Sequence, residues 1–426
     1  MSASNFPKHY TKTLDNGLEV VAIPLHNNTG VASVDIFYKV GSRNEVMGKS
    51  GMAHMLEHLN FKSTKNMKSG QFDEIVKGLG GVNNASTGFD FTHYYIKSAS
   101  RNIDNSLSLF ADMMQNLLLL DEEFQPERDV VTEERLWRTD NNPIGYLYFR
   151  LFNNAFLYHP YHWTPIGFMQ DIKNWSIEDI KGFHNTFYQP NNAIVVVAGD
   201  IDEKEVFASV ETHFKDIKRG KEIPTVHMIE PEQDGAKEVT IYKENQVEIV
   251  ALTYHIPNFQ HDDMIALSAI GEILSAGKSS RLTERLIDNK QMVNQIYAYS
   301  MDLIDPGVFL LLAVCNPGVD ALTVKAELID ELNKLSQGTI TKEELDKVKI
   351  NNHAEFIYAM ESASGVSNLF GSYLARGDIK PLLEYEDKLE KLTIKEIESV
   401  AKKYFQSKNQ TTAILKPEEA QEEGKK

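Results

Sequence analysis

The chain has 426 residues, with 44 Lys+Arg against 61 Asp+Glu, a formal net charge of −17 and 42% hydrophobic residues. That composition excludes wholesale disorder, and the length allows roughly two to four domains. The acidic balance, with no local basic patch, speaks against nucleic acid and against an anionic membrane surface as partners.

Alternation at Val34, Ile36, Tyr38 and Val40 predicts a half-buried strand, followed by a helix that carries His54, Glu57 and His58. Phe72, Ile75, Val76 and Leu79 keep helical spacing up to Gly80-Gly81, and Ile103, Leu107, Phe110, Met114 and Leu117 predict a longer helix. Residues 121–126 then predict a break before another helix opens around Glu127. Residues 194–198 form an apolar strand closed by Gly199-Asp200, and residues 219–236, charged and containing Pro224 and Pro231, predict a linker. Cys315, the single cysteine, lies beside an apolar run; this excludes an internal disulfide framework and predicts a buried, inert thiol. No apolar run approaches the ~20 residues that span a bilayer, so no membrane segment is expected. With no apolar leader visible, the chain reads as cytoplasmic, or as periplasmic if a leader was trimmed.

The halves repeat each other. A shift of 216 lays Val250, Leu252, Tyr254 and Ile256 on the first strand, and a shift of 217 lays Thr393, Ile394, Ile397 and Tyr404 on Ser176, Ile177, Ile180 and Phe187. The expected class is α+β, with two tandem homologous units, each an antiparallel sheet flanked by helices. Residues 1–218 would form the first, 219–236 the linker, 237–417 the second and 418–426 a charged, frayed tail.

In His54-Met55-Leu56-Glu57-His58 two imidazoles stand one helical turn apart with a carboxylate between them. At 100° per residue these three share about one third of the helix circumference, opposite Met52, Met55, Leu56 and Leu59. Two neutral imidazoles so spaced can bind one tetrahedral Zn²⁺, and the carboxylate can take a proton from a water that the metal polarises. The order inverts the commoner H-E-x-x-H. Zinc needs a third protein ligand, and Glu127 and Glu134, seven residues apart and within about 20° on one helix face, offer one ligand and one supporting carboxylate.

These residues, with Glu134 placed 76 positions beyond His58, resemble the zinc site of the pitrilysin/insulinase peptidase family, which includes the mitochondrial processing peptidases. Asn16-Gly17-Leu18, Gly41-Ser42-Arg43-Asn44-Glu45, Gly80-Gly81-x-x-Asn84-Ala85 and His159-Pro160-Tyr161 with Pro165 and Gly167 stand in the family's order. The resemblance implies a zinc metalloendopeptidase acting on extended or unfolded peptides. His54, His58 and Glu134 would hold Zn²⁺, with Glu134 preferred to Glu133. Glu57 would be the general base and Glu127 a supporting catalytic residue. Residues 83–95, including Asn84 and Ala85, would form the sheet edge to which substrate adds as a strand, an exposed edge having unpaired N–H and C=O groups to offer.

The second half departs from this pattern. Ile270, Ile273 and Leu274 stand where the shift places His54, Glu57 and His58, so a single zinc site is expected. Single-chain members of the family also carry an Arg and a Tyr, seven residues apart, that hold the substrate oxyanion; counted from Ser280-Arg281-Leu282, Ile287 and Asn294 take those places here. Lys290 and Tyr297 repeat the spacing three residues later. The resemblance therefore implies a zinc-bearing chain that works as a homo- or heterodimer with a homologous subunit bearing the Arg/Tyr pair. The competing expectation is a non-catalytic assembly or scaffold subunit that keeps the peptidase fold.

Overall fold

A computed structural model describes residues 6–418. Only Glu418 of the predicted tail falls within that range; the rest lies outside the described residues. The described chain packs as two units. One comprises the described part of Met1–Glu133 with Trp163–Met228 and His353–Leu383; the other comprises Glu134–His162, Ile229–Asn352 and the described part of Glu384–Lys426.

The first unit is built on strands β1 (Tyr10–Thr13), β2 (Glu19–Pro24), β3 (Val31–Tyr38), β4 (Val82–Thr87), β5 (Thr92–Ala99) and β6 (Ala193–Gly199). They lie in the order β1-β2-β6-β3-β5-β4, with β2 and β6 parallel and the other pairs antiparallel. Period-2 alternation sends Val34, Ile36 and Tyr38 to one face. There they meet the apolar stripes of helices Met52–Leu59, Ile103–Asn116, Ile177–Phe187 and Glu203–Phe214. Phe37, Val21, Ile194 and Val196 face the other way, onto helix Ala363–Ala375. With both of its faces covered, β6 needs the unbroken apolar run seen in its sequence. The helix lies so close that a Cβ at Gly371 would stand 2.0 Å from the Phe37 ring, a space that only glycine leaves.

In the second unit, β7 (Lys237–Lys243), β8 (Ile249–His255), β9 (Val293–Ser300), β10 (Val308–Cys315) and β11 (Gln410–Pro417) lie in the order β7-β11-β8-β10-β9. Here β7 and β11 are the parallel pair. Helices Asp263–Ser275, Ala321–Leu335 and Ile394–Tyr404 fill one face, and helix Pro143–Ala155 covers β7, β8 and β11. Each unit thus takes one covering helix from the opposite end of the chain.

The two sheets share one topology apart from the extra strand β1, as the repeat predicts. Ser176 and Thr393, superposed by the shift, both cap their helices through reciprocal capping boxes, with Asp179 and Glu396. Two expectations need correction. The sheets are mixed rather than antiparallel, because β2 with β6 and β7 with β11 run parallel. Nor is there a break over residues 121–126: one helix runs Asp121–Arg135 with Pro126 inside it. Phe124, wholly buried, anchors its first turn, and the amides of Glu123 and Phe124 already bond to Leu120 O. Residues 218–236 contain neither helix nor strand. Cys315 is buried, and burial pushes its thiol up to about 12. No described helix is long and apolar enough to cross a membrane.

Candidate metal centre

Helix Met52–Leu59 is amphipathic in the sense its sequence requires: Met52, Met55, Leu56 and Leu59 enter the first core, which turns His54, Glu57 and His58 to the opposite side. The imidazoles of His54 and His58 meet edge to face with centroids 4.9 Å apart. Helix Asp121–Arg135 brings a third donor. One ligand atom each from His54, His58 and Glu134 lie within 4.8 Å of one another, and among the described residues they form the one such group of three. Two imidazoles and one carboxylate are the number and kind of protein donors that a zinc ion with an open position takes. Glu133, the adjacent acid, is exposed.

Glu127 lies two turns before Glu134 on the same helix. Its Oε1 is 2.8 Å from His58 Nδ1 and its Oε2 is 2.6 Å from Lys62 Nζ. These hydrogen bonds, that to His58 foremost, pull the Glu127 carboxyl down to about 2 against the effect of its burial. With Nδ1 donating to this carboxylate, the lone pair of neutral His58 sits on Nε2, the tautomer a metal ligand needs. The donor set therefore fits zinc in both chemistry and spacing.

Further residues complete the surroundings. Thr87, the last residue of β4, donates its hydroxyl to Glu57 Oε2 at 2.5 Å. Arg138 Nε lies 2.9 Å from Glu134 Oε1. The start of the histidine helix is held from outside. Gly51, at φ +88°, provides no side-chain cap. In its place Glu45, 1% exposed, accepts from Gly51 N and Ala53 N at 2.8 Å each and from Trp163 Nε1 at 2.9 Å. Burial pushes the Glu45 carboxyl up to about 8 while these donors pull against it. Asp171 takes the amide and hydroxyl of Ser50 alongside. Of these residues, Glu45 stands in a motif visible in the sequence, without a sign of its partner, and Arg138 keeps i,i+4 spacing from Glu134. Thr87, Lys62, Trp163 and Asp171 gave no readable signal.

Asn84 and Ala85 do not join the metal group. They lie on β4, which is the sheet's edge, with Asn84 exposed and Ala85 packed against the first core.

A mixed sheet carrying an inverted His-x-x-Glu-His helix, with a glutamate from a second helix, defines a class of zinc peptidases. Residues 20–156 match the family described as insulinase (peptidase family M16), and residues 174–352 match the peptidase M16 inactive domain. The chain belongs to this pitrilysin/insulinase family. A Helicobacter pylori protein named zinc protease PqqE is 53% identical over 417 residues, which covers 97% of this chain and 94% of the relative. The crystal structure of a protease from Helicobacter pylori superposes with a TM-score of 0.95 at 53% identity, over 97% of this chain and 100% of that one. The periplasmic protease PqqL from Escherichia coli shares the fold, with a TM-score of 0.76 at 20% identity over 96% of this chain and 47% of its own. Zn²⁺ is the cofactor, by the names of the relatives and by the donor set.

Proposed function

We propose that the chain is a zinc metalloendopeptidase that hydrolyses extended or unfolded peptides, with zinc held by His54, His58 and Glu134. The observation that carries this reading is the convergence of those three donors beside Glu57. Zinc, when bound there, supplies Lewis acidity that polarises a water and the scissile carbonyl. Glu57 takes the water's proton and delivers one to the leaving amine, while Glu127 fixes the His58 tautomer through the 2.8 Å contact with Nδ1. The backbone of β4 around Asn84 and Ala85 takes the peptide as an added strand, which holds an extended chain whatever its side chains.

Glu57→Gln tests the assignment. The variant should retain zinc by metal analysis and lose cleavage of a quenched-fluorescence peptide by at least about 10². Cleavage at the wild-type rate would sink it.

The match of residues 174–352 to a domain described as inactive keeps one other reading in view, a scaffold subunit without chemistry. Protein purified without chelators that held no zinc, and cleaved nothing beside any homologous chain, would favour that reading.

A further inference from the structure

We propose that Thr87 is a positioning residue for Glu57, holding the general base from the open edge of the sheet. The inference rests on the reading of Glu57 given above. A glutamate on a helix surface has three rotatable bonds and therefore several carboxylate orientations. The Thr87 hydroxyl selects one. Its 2.5 Å bond to Oε2 is in the short range of O–H donors to a carboxylate, about 2.5–2.7 Å, and one such donor fixes the carboxylate plane and makes its two oxygens inequivalent.

The position of Thr87 is itself well held. It pairs with Thr92 at the closed end of the β4–β5 hairpin, where Gly88 N donates to Phe91 O at 2.9 Å. The hairpin turn is tied in turn to the loop that carries Glu45, through Ser42 N to Gly88 O at 3.2 Å and Arg43 N to Phe89 O at 2.8 Å. Thr92 Oγ1 donates to Val40 O at 2.8 Å. Thr87, half-buried, thus stands at the tied end of an edge strand whose exposed side chains, Val82, Asn84 and Ser86, meet solvent. A peptide added to β4 would be placed relative to Glu57 by the same strand that orients Glu57.

The test uses the full chain, together with any homologous chain that copurifies, and compares Thr87→Val, which removes only the hydroxyl, with Thr87→Ser, which keeps it. On a quenched-fluorescence extended peptide, Thr87→Val should lower kcat about ten- to hundredfold with KM within about twofold, and Thr87→Ser should restore kcat to within about threefold of wild type. Zinc affinity, read by chelator competition, should not change. A double-mutant cycle in the unfolding of the metal-free protein, with Thr87→Val and Glu57→Gln, should show a coupling of about fivefold in the equilibrium constant, a readout independent of turnover. Coupling below about twofold, wild-type kcat in Thr87→Val, or a Ser variant as impaired as the Val variant would overturn the inference. So would a loss that lay in the Kd of the peptide for the metal-free protein, since Thr87 would then be a substrate contact. If Glu57→Gln cleaves normally, the reading of the base has failed; if it is inactive while Thr87→Val is unimpaired, only the role of Thr87 has.

Discussion

The two carboxylate oxygens of Glu127 are occupied differently, one by His58 Nδ1 and the other by Lys62 Nζ. The bond to His58, with that to Lys62 behind it, keeps the carboxylate charged, and the carboxylate in turn keeps the imidazole lone pair on Nε2. Partners of this kind commonly matter by 10–100-fold in metal affinity. Glu127→Ala should therefore weaken zinc binding by about ten- to hundredfold in competition with a chromophoric chelator, and Glu127→Gln, which retains an acceptor for Nδ1–H, should lose less. Equal affinity in all three proteins would remove Glu127 from the site. At this scale the sequence was most informative where spacing along one helix sets geometry. His54, Glu57 and His58 were legible because three and four residues make a turn, and Glu127 with Glu134 because seven residues make two. Thr87 and Lys62 were not. Thr87 reaches Glu57 across 30 residues of chain, and a surface lysine near a glutamate is too common to signify.

Helix Met52–Leu59 has eight residues, too short to persist by its own hydrogen bonds. Its order comes from the core beneath it and from Glu45 at its start, which serves as a cap from seven positions before the helix. Glu45→Gln would turn an amide toward at least one of the three N–H donors that now share the carboxyl group, so at about pH 9, where that group is ionised, it should cost about 2–3 kcal/mol in chemical denaturation. Because His54 lies in the first turn, zinc affinity should fall as well, by about tenfold. Unchanged stability together with unchanged zinc affinity would show that the helix start holds without Glu45. The element level also shows where periodicity misleads. Three acids and a proline over residues 121–126 have the composition of a linker, yet acids favour a helix N-terminus and the buried Phe124 fixes the turn, so the helix begins before Pro126. Parallel pairing of β2 with β6 was equally illegible, because strand direction depends on which distant segments become neighbours.

At the scale of the whole chain the repeat was legible, since superposed positions keep their apolar pattern and even their capping boxes. The helices exchanged between the chain's two ends were not: Pro143–Ala155 and Ala363–Ala375 present apolar faces that any sheet could cover. The repeat also makes the missing chemistry visible. In the second unit Ile270, Ile273 and Leu274 are buried where the first has its histidines and glutamate, so the second sheet supports a core instead of a metal. Ile287 packs against that core and Asn294 lies exposed on β9, so neither supplies a cationic or phenolic donor to an oxyanion. Lys290 is paired with Glu327 at 2.5 Å, and Tyr297 OH lies 3.3 Å from Gln295 Oε1. Loss of such a donor typically lowers turnover by about 10²–10³, and the family resemblance implies that a homologous subunit with Arg and Tyr at the positions of Ile287 and Asn294 would remove that deficit. The purified chain should therefore cleave an extended peptide slowly, and addition of that homologous chain should raise kcat by about 10²–10³ with zinc content unchanged. A subunit in which that Arg and Tyr are replaced by Ile and Asn should associate equally well and give no such gain, which separates donated chemistry from simple stabilisation. If the chain alone turns over at a rate that no homologous chain alters, the oxyanion donor must lie within it, and Tyr297, 49% exposed on the edge strand β9, becomes the first residue to replace.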